Sequence, residues 1–238
     1  MPYNLFNKES DQKLSVWVYW GGLLLSFLGG YINVSMLYIF AIPVSHMSGA
    51  VSKIGIDLGN ENYHDLGLIA LILICFFTGA IISGVLVTSN KLRPSYQYSI
   101  ILTVETICLL IAALSVSSNQ SLAIAFSAMA CGVQNSMASS YQGLIIRTTH
   151  VTGVVTDLGF MVGSFMRSKR IKLWKVLLLS IIIFGYGSGG IVSAFCQKLF
   201  GNVSAYISFV ISLLITIAYL ITDLRLKRRR YARNNSPH

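Results

Sequence analysis

Long apolar blocks, each long enough to cross a bilayer, constrain this chain more than any other feature. Examples are residues 66–87, 176–196 and 203–221, and about 20 residues allow a helix to span the hydrocarbon core. Of the 238 residues, 54% are apolar and only 11% are charged, whereas soluble domains carry about a quarter charged residues. The sequence therefore predicts an all-α, polytopic membrane protein.

Polar or glycine-rich breaks divide these blocks into six spanning helices and two short ones. The long helices are expected at about 16–41, 63–88, 96–116, 120–143, 172–197 and 203–223, and the short ones at about 48–59 and 152–166. The short helices contain Lys53, Asp57 and Asp157, which a lipid-facing span would avoid. We therefore expect each short helix to be re-entrant, entering the membrane without crossing it.

The two halves of the chain resemble each other in the order and spacing of matched segments. Gly30-x-x-Asn33 is matched by Gly132-x-x-Asn135, residues 46–51 by 150–155, 54–55 by 158–159, and 79–84 by 189–194. Three spans in each half is an odd number, so the second half must be inverted relative to the first. We expect an N-terminal segment (1–15), a first repeat (16–116), an inverted second repeat (120–223) and a basic tail (224–238).

The formal net charge of +10 lies mostly at the edges of apolar blocks. The basic groups are Lys91 with Arg93, the run 167–175 and the tail 225–233. The positive-inside rule places all three, and both termini, in the cytoplasm. We therefore expect a multi-pass protein of the bacterial inner membrane whose tail meets anionic lipid, without a nucleic-acid partner.

Two interruptions of the helical pattern lie at membrane depth, and each should line a cavity because unpaired backbone groups are costly in hydrocarbon. They are residues 43–49 and 147–153. Ser48 and Thr152 stand at expected N-cap positions, and Gly49 and Gly153 follow them. Each short helix would then direct its positive dipole end into the cavity.

Basic and amide side chains accompany these helix starts. His46, Arg147 and His150 favour an anion, although the histidines alternatively bond a carbonyl and Arg147 alternatively anchors a helix end. Amides within membrane helices bond either another helix or a ligand. The predicted substrate-binding residues are Asn33, His46, Ser48, Gly49, Gln134, Asn135, Arg147, His150, Thr152 and Gly153.

Three carboxylates are candidates for carrying a coupling proton. Glu105 stands alone in an apolar run and must pair, protonate or face water, so proton coupling and an interhelical hydrogen bond both remain open. Asp57 and Asp157 lie within the short helices, where Lys53, Arg147 or an ion would partner them.

Other signatures of chemistry are missing from the sequence. The four cysteines have no metal-ligand spacing, and no nucleotide-binding loop, zinc-protease helix or nucleophile elbow occurs. We expect no enzyme activity, cofactor or metal. Small-xxx-small ladders at Gly79, Gly185 and Gly189 predict helix packing and also permit a homodimer.

At these residues the chain resembles the YoaK family of bacterial membrane proteins, a domain family of unknown function. The resemblance extends from about Trp17 to Ile221 and rests on Gly30-x-x-Asn33, His46-Met-Ser-Gly49, Gly132-Val-Gln-Asn135 and Arg147-Thr-Thr-His-Val-Thr-Gly153. The family often has Asp at the position of Asn33 and Thr-Gly-Asn at that of Ser48-Gly49-Ala50. The resemblance implies an integral membrane protein, and these departures imply a different or weaker ligand.

The function expected from these features is a secondary transporter, or permease, for a small anionic metabolite. Alternating access would rock one repeat against the other around Ser48, Gly49, Thr152 and Gly153. The first alternative is a passive channel with the hourglass arrangement that aquaporins have. The second is a non-transporting membrane partner or receptor protein.

Overall fold

A computed structural model describes the chain over residues 15–87, 96–137, 147–168 and 173–234. Within those ranges it consists of helices and turns without strands, which confirms the predicted all-α class. The helices are α1 (Val16–Phe40), α2 (Met47–Gly59), α3 (Tyr63–Leu86), α4 (Tyr96–Ser115), α5 (Gln120–Met137), α6 (Val151–Ser168), α7 (Leu173–Phe200) and α8 (Ala205–Asn234), with a 3-10 turn (Gly201–Ser204) before α8.

Four stretches of the described chain are long and apolar enough to cross a membrane. They are Val16–Phe40, Tyr63–Leu86, Tyr96–Ser115 and Leu173–Arg225. The last has 53 residues, or about 80 Å of helix at 1.5 Å per residue, which far exceeds a hydrocarbon core of about 30 Å. The 3-10 turn divides it at Gly201, whose φ of +55° suits glycine. These helices are compatible with a multi-pass membrane protein.

The central helices differ from the peripheral ones in how much of their surface other helices cover. In the most apolar windows of α1 and α4, 56% and 61% of residues are buried, against 28% in α3 and 22% in the α7–α8 stretch. α5 is also buried along most of its length, which explains how it tolerates Ser127, Gln134 and Asn135. Large apolar side chains such as Phe77 and Phe184 lie exposed on the periphery, as expected for helices that face lipid.

The helices pack in matched pairs. α1 packs on α7 and α3 on α5, while the short helices α2 and α6 pack on α3 and α7 respectively. At both long pairs a Cβ added to a glycine would overlap a backbone carbonyl group, so only glycine permits this approach. These contacts are Gly30 on Tyr186, Gly189 on Phe27, Gly132 on Phe76 and Gly79 on Met129. The predicted use of Gly79, Gly185 and Gly189 in helix packing is confirmed, and Gly30 and Gly132 serve the same role without having been predicted to do so.

Contacts along each pair give the helix directions. Residue numbers increase together along α1 and α7, from Gly22 beside Leu178 to Val34 beside Gly190, so these helices run parallel. The same holds for α3 and α5, where Gly132 meets Phe76 and the Ser136 hydroxyl donates to the Ala80 carbonyl. The starts of α1, α4 and α7 and the ends of α5 and α8 line one groove, and therefore lie at one end of the bundle.

The observed bounds agree with most of the predicted ones, and α7 and α8 differ from them. α8 begins at Ala205 and extends to Asn234, about ten residues past the expected end, because its basic segment continues the helix beyond the apolar block. α7 extends to Phe200 rather than 197. α5 is described only to Met137. The described residues do not include the rest of the predicted α5 helix to 143, the first 14 residues, Lys91, Arg93, Lys169, Arg170, Lys172 and residues 235–238.

Candidate functional site

The break between α1 and α2 is held by an asparagine of α1. Ala41 ends α1 with a positive φ of 56°, and the chain then turns back toward the bundle. The Asn33 Oδ1 atom accepts hydrogen bonds from the backbone N–H of Ser45 at 3.1 Å and from its hydroxyl at 2.9 Å. Asn33 and Ser45 are both buried. The amide therefore satisfies backbone that neither helix can satisfy.

The break before α6 uses the same device. The Asn135 Oδ1 atom accepts a hydrogen bond from the Thr149 backbone N–H at 3.2 Å, and its Nδ2 donates to the Thr149 hydroxyl. Asn135 lies 102 positions after Asn33, and Thr149 lies 104 after Ser45. The two matched asparagines thus hold matched residues, each of which precedes a histidine.

One polar cavity of about 350 Å³ lies between the two breaks. The starts of α2 and α6 form two of its walls, and α3 and α5 form the others. Its lining is Ser45, His46, Met47, Ser48, Phe76, Ala80, Gly132, Asn135, Ser136, Arg147, Thr149, His150, Val151 and Thr152. Residues of both breaks therefore line the same cavity.

The lining favours negative charge. It contains Arg147, His46 and His150 together with hydroxyl and amide groups, and no carboxylate is among these lining residues. The first backbone bonds of the short helices are Ala50 N–H to the His46 carbonyl and Val154 N–H to the His150 carbonyl. Before these bonds, the Val151 N–H donates to the Thr149 carbonyl at 3.1 Å, whereas the N–H groups of Met47, Ser48 and Thr152 have no backbone acceptor among the described residues. The dipoles of both helices favour an anion beside these groups.

The matched positions of Phe76 and Tyr186 differ by one hydroxyl. On the α7 side, the Tyr186 hydroxyl lies 3.2 Å from the Ser45 hydroxyl oxygen and 3.5 Å from His46 Nε2, and the Tyr186 and His46 rings meet edge to face. Phe76 stands 110 positions before Tyr186 and lines the cavity on the α3 side. The first break is therefore tied to α7 by a hydroxyl that Phe76 cannot offer to the second break.

Six of the ten predicted binding residues line this cavity, and four do not. The six are His46, Ser48, Asn135, Arg147, His150 and Thr152. Asn33 accepts a hydrogen bond from Ser45 of the first break and does not line the cavity. The Gln134 Nε2 atom donates to the Leu25 carbonyl at 2.7 Å and to the Thr148 hydroxyl, so it ties α5 to α1 and to the second break. Gly49 and Gly153 lie within α2 and α6, outside the lining.

The predicted N-caps are displaced by two residues. α2 begins at Met47 with His46 at its N-cap position, and α6 begins at Val151. Ser48 and Thr152 are therefore second residues of their helices, because Asn33 and Asn135 fix the residues before the histidines and let the helices start at once. A Cβ at Gly49 would meet nothing within 4 Å, whereas a Cβ at Gly153 would meet the His150 ring.

Eight lining residues were not among the predicted ones, although the repeat contains a signal for two of them. Ser45 and Thr149 precede the matched histidines directly, and a hydroxyl in both copies indicates a shared role. Phe76 and Ser136 carry no comparable signal, because their place beside the cavity depends on how α3 packs against α5.

The three candidate acids have different surroundings, and all lie away from the cavity lining. Asp57 is buried and accepts hydrogen bonds from Lys53 at 3.0 and 3.1 Å, and Lys53 also reaches Asp65 at 3.2 Å. The hydrogen bond to Asp57 raises the pKa of the Lys53 ammonium. Asp157 is half-buried on α6.

Glu105 is the most buried of these acids. Its side chain is 0% exposed, and both carboxyl oxygens lack a hydrogen-bond partner among the described residues. Of the three outcomes predicted for it, pairing and contact with solvent are therefore not observed among the described residues. The charged form of an isolated carboxyl group in an apolar interior is strongly disfavoured.

The fold and the cavity together define a class: an all-helical protein with several membrane-compatible spans, in which two interrupted helices meet at an internal polar cavity. The chain belongs to the family described as "Protein of unknown function (DUF1275)", whose model matches residues 21–218. That range includes both breaks and every helix that lines the cavity. No curated protein and no solved structure matches the chain.

Proposed function

We propose that this protein is a secondary transporter for a small anionic metabolite. The observation that carries the proposal is the cavity of about 350 Å³, into which the starts of α2 and α6 open beside Arg147. Two helix N-termini and a guanidinium form an anion site without a metal. A cavity of this size falls within the range of small-ligand pockets, which begins at about 300 Å³.

Matched contacts support an architecture of two inverted repeats with six spans. The repeats are 16–116 and 120–223, with α2 and α6 as re-entrant helices. The α1–α7 pair mirrors α5–α3, and α2 on α3 mirrors α6 on α7. The asparagine-held breaks are matched in the same way. This pseudosymmetry is typical of carriers that alternate between two states by exchanging the conformations of their halves.

The unequal contacts of the matched helices favour a carrier over an open channel. Tyr186 contacts Ser45 and His46, while Phe76 lines the cavity at the matched position and has no hydroxyl to make such contacts. In the opposite state, the Tyr186 contacts would separate. The Glu105 carboxyl, buried without a partner among the described residues, is the proposed carrier of a coupling proton.

The charge distribution supports an orientation with both termini in the cytoplasm of a bacterial cell. Arg167 ends α6 and Lys175 begins α7, at the same bundle end as the basic end of α8. Positive charge collects on the cytoplasmic side of inner-membrane proteins. The proposed location is the bacterial inner membrane.

The first test is the thermal stability of the full chain, purified in detergent, with phosphate, sulfate, succinate, choline or glycerol at matched ionic strength. A ligand at 100 times its Kd stabilises the native state by about 2.7 kcal/mol. We expect one or more of the anions to raise the unfolding midpoint, and Arg147→Gln to abolish the rise. Arg228→Gln, which removes an exposed charge remote from the cavity, is the matched control. Stabilisation that is the same for all solutes, or that survives in Arg147→Gln, would refute the anion site.

Liposome uptake of the stabilising anion separates the remaining alternatives. A carrier saturates and exchanges internal for external anion, whereas a passive channel conducts without saturation at low concentration. A receptor moves no solute, and deletion of 225–238 would then abolish its partner binding without unfolding it.

A further inference from the structure

A second cavity, distinct from the polar site, lies at the end of the bundle where α1 and α4 begin and α8 ends. It is a groove of about 270 Å³ with α1, α4 and α8 as its main walls. Its lining is almost entirely apolar, including Trp17, Trp20, Leu24 and Ile215. Trp20 and Leu24 are 59% and 42% exposed, so the groove opens onto the outer surface of the bundle, which faces the bilayer.

The groove has a positive charge at its mouth. On α8, Ile215, Ala218 and Thr222 line the groove. Arg225 lies three residues beyond Thr222, so it continues the same face of the helix by almost one turn. Arg225 is exposed and forms no ion pair among the described residues. A cation thus stands where the apolar groove meets the aqueous boundary.

The neighbouring lysine, Lys227, already has an acidic partner. Lys227 Nζ lies 2.7 Å from Asp223 Oδ2 and 5.5 Å from the Tyr96 ring centre. Trp17 and Trp20 on α1 and Tyr98 on α4 lie at the same end of the bundle, and Trp and Tyr side chains favour the headgroup level of a bilayer. We therefore place the apolar groove at hydrocarbon depth, and the aromatic rings and Arg225 at headgroup depth.

We infer that this groove binds one anionic phospholipid, with an acyl chain along the apolar lining and the headgroup phosphate region beside Arg225. An apolar wall suits the chain, and a guanidinium bonds phosphate oxygens in bidentate geometry. The groove is also connected to the polar cavity through the chain itself. Thr148 lines the groove and Thr149 lines the cavity, so adjacent residues of one break face the two sites.

The chain offers matched variants for the acyl-chain part of this site. Gly21 lines the groove, and a Cβ there would meet nothing within 4 Å, so Gly21→Phe fills the groove without a clash at Cβ. Gly187 on α7 also has open space at its Cβ position, is exposed and does not line the groove. Gly187→Phe is therefore the control for a bulky side chain added to a lipid-facing helix.

The headgroup part is tested with Arg225→Gln against Arg228→Gln. Both arginines are exposed on α8, but only Arg225 falls on the face that carries Thr222 and Ala218. The experiment titrates the full-length protein in detergent with dioleoyl phosphatidylglycerol or dioleoyl phosphatidylcholine. It measures the unfolding midpoint and, by native mass spectrometry, the lipids retained per chain.

We expect one phosphatidylglycerol per chain to bind at least tenfold more tightly than phosphatidylcholine. Gly21→Phe should remove binding of that lipid, and Arg225→Gln should remove the preference for it, while both control variants behave as the unmodified chain. Equal retention of the two lipids by the unmodified chain would overturn the proposal. So would loss of the preference in Arg228→Gln to the same extent as in Arg225→Gln, since that indicates a general surface charge. A mass of two chains that disappears in Gly21→Phe would instead assign the groove to a second copy.

Discussion

The breaks before α2 and before α6 share their backbone support but differ in the side chains they present to the cavity. Asn33 holds Ser45 in the first, and Asn135 holds Thr149 in the second. Three residues before each matched histidine, however, the first break has Pro43 and the second has Arg147. The shared features therefore build the cavity, and the unmatched ones give it charge.

The helices behind the breaks differ in the same way. Tyr186 reaches Ser45 and His46 of the first break, while Phe76, which lines the cavity, has no hydroxyl to do the same at the second. The two breaks therefore differ in how the long helix behind each one contacts them. In carriers with inverted repeats, such differences between halves are exchanged when access changes sides.

The largest expected effect tests the framework that the halves share. Gly30→Ala and Gly132→Ala each force a Cβ into a carbonyl group, of Tyr186 and Phe76 respectively, and overpacking of this kind costs about 3 kcal/mol. Both variants should lower the unfolding midpoint in detergent by similar amounts. Gly187→Ala, with open space at Cβ, is the control. A loss in only one half would contradict equivalent packing.

The next largest effect concerns the two asparagines. Asn33→Ala and Asn135→Ala each leave a buried N–H without an acceptor, which costs about 2 kcal/mol. The aspartate variants should separate the breaks. Asn33 serves Ser45 only as an acceptor, and its Nδ2 lies at the longer distance of 3.5 Å from His46 Nδ1. The Nδ2 of Asn135, in contrast, donates to the Thr149 hydroxyl.

We therefore expect Asn33→Asp to retain more stability than Asn135→Asp in chemical or thermal unfolding. Equal losses in the two aspartate variants would show that the donor from Asn135 contributes nothing to the second break.

A smaller effect tests the charge that only the second break carries. Arg147→Gln should weaken binding of the anion identified by thermal stability at least tenfold, equivalent to about 1.4 kcal/mol. Because Arg147 is exposed to the cavity, the unfolding midpoint without ligand should change little. Isothermal titration of Arg147→Gln beside Arg228→Gln measures the difference, and equal affinities would remove Arg147 from the site.

The smallest effect tests the hydroxyl that distinguishes α7 from α3. Tyr186→Phe loses the contacts to Ser45 and His46, at a cost of about 1 kcal/mol. Labelling of Ser45→Cys by a membrane-permeant thiol reagent should become faster when Tyr186→Phe is added. The native cysteines at 75, 108, 131 and 196 are first replaced by Ala. An unchanged labelling rate would mean that Tyr186 does not close the cavity.

Much of the framework was predictable from sequence. The apolar blocks predict helices, because a backbone surrounded by hydrocarbon satisfies its hydrogen bonds within a helix. The observed starts of α1 and α3 agree with the predicted ones. The matched segments around His46 and His150 also predicted that both breaks belong to one site. These signals are local or repeated in the sequence, so they can be recognised without knowing how the helices pack.

Side-chain roles depended on packing and were less predictable. Gln134 appeared as a ligand candidate and instead ties α5 to α1. The N-cap positions moved because an asparagine from another helix satisfies the chain just before each histidine. No spacing within α2 or α6 contains that information, since the partner lies in a different helix.

The sequence by itself determined that the chain forms apolar helices interrupted twice at matched positions, because chain-local hydropathy and backbone hydrogen bonding decide both. Only the tertiary structure decided that Glu105 is enclosed without a partner among the described residues, that Tyr186 reaches Ser45 and His46, and that Arg147 lines the cavity. Those outcomes depend on which helix faces meet. Close contacts at glycines determine how these helix faces pack, so the side-chain contacts form only in the assembled bundle.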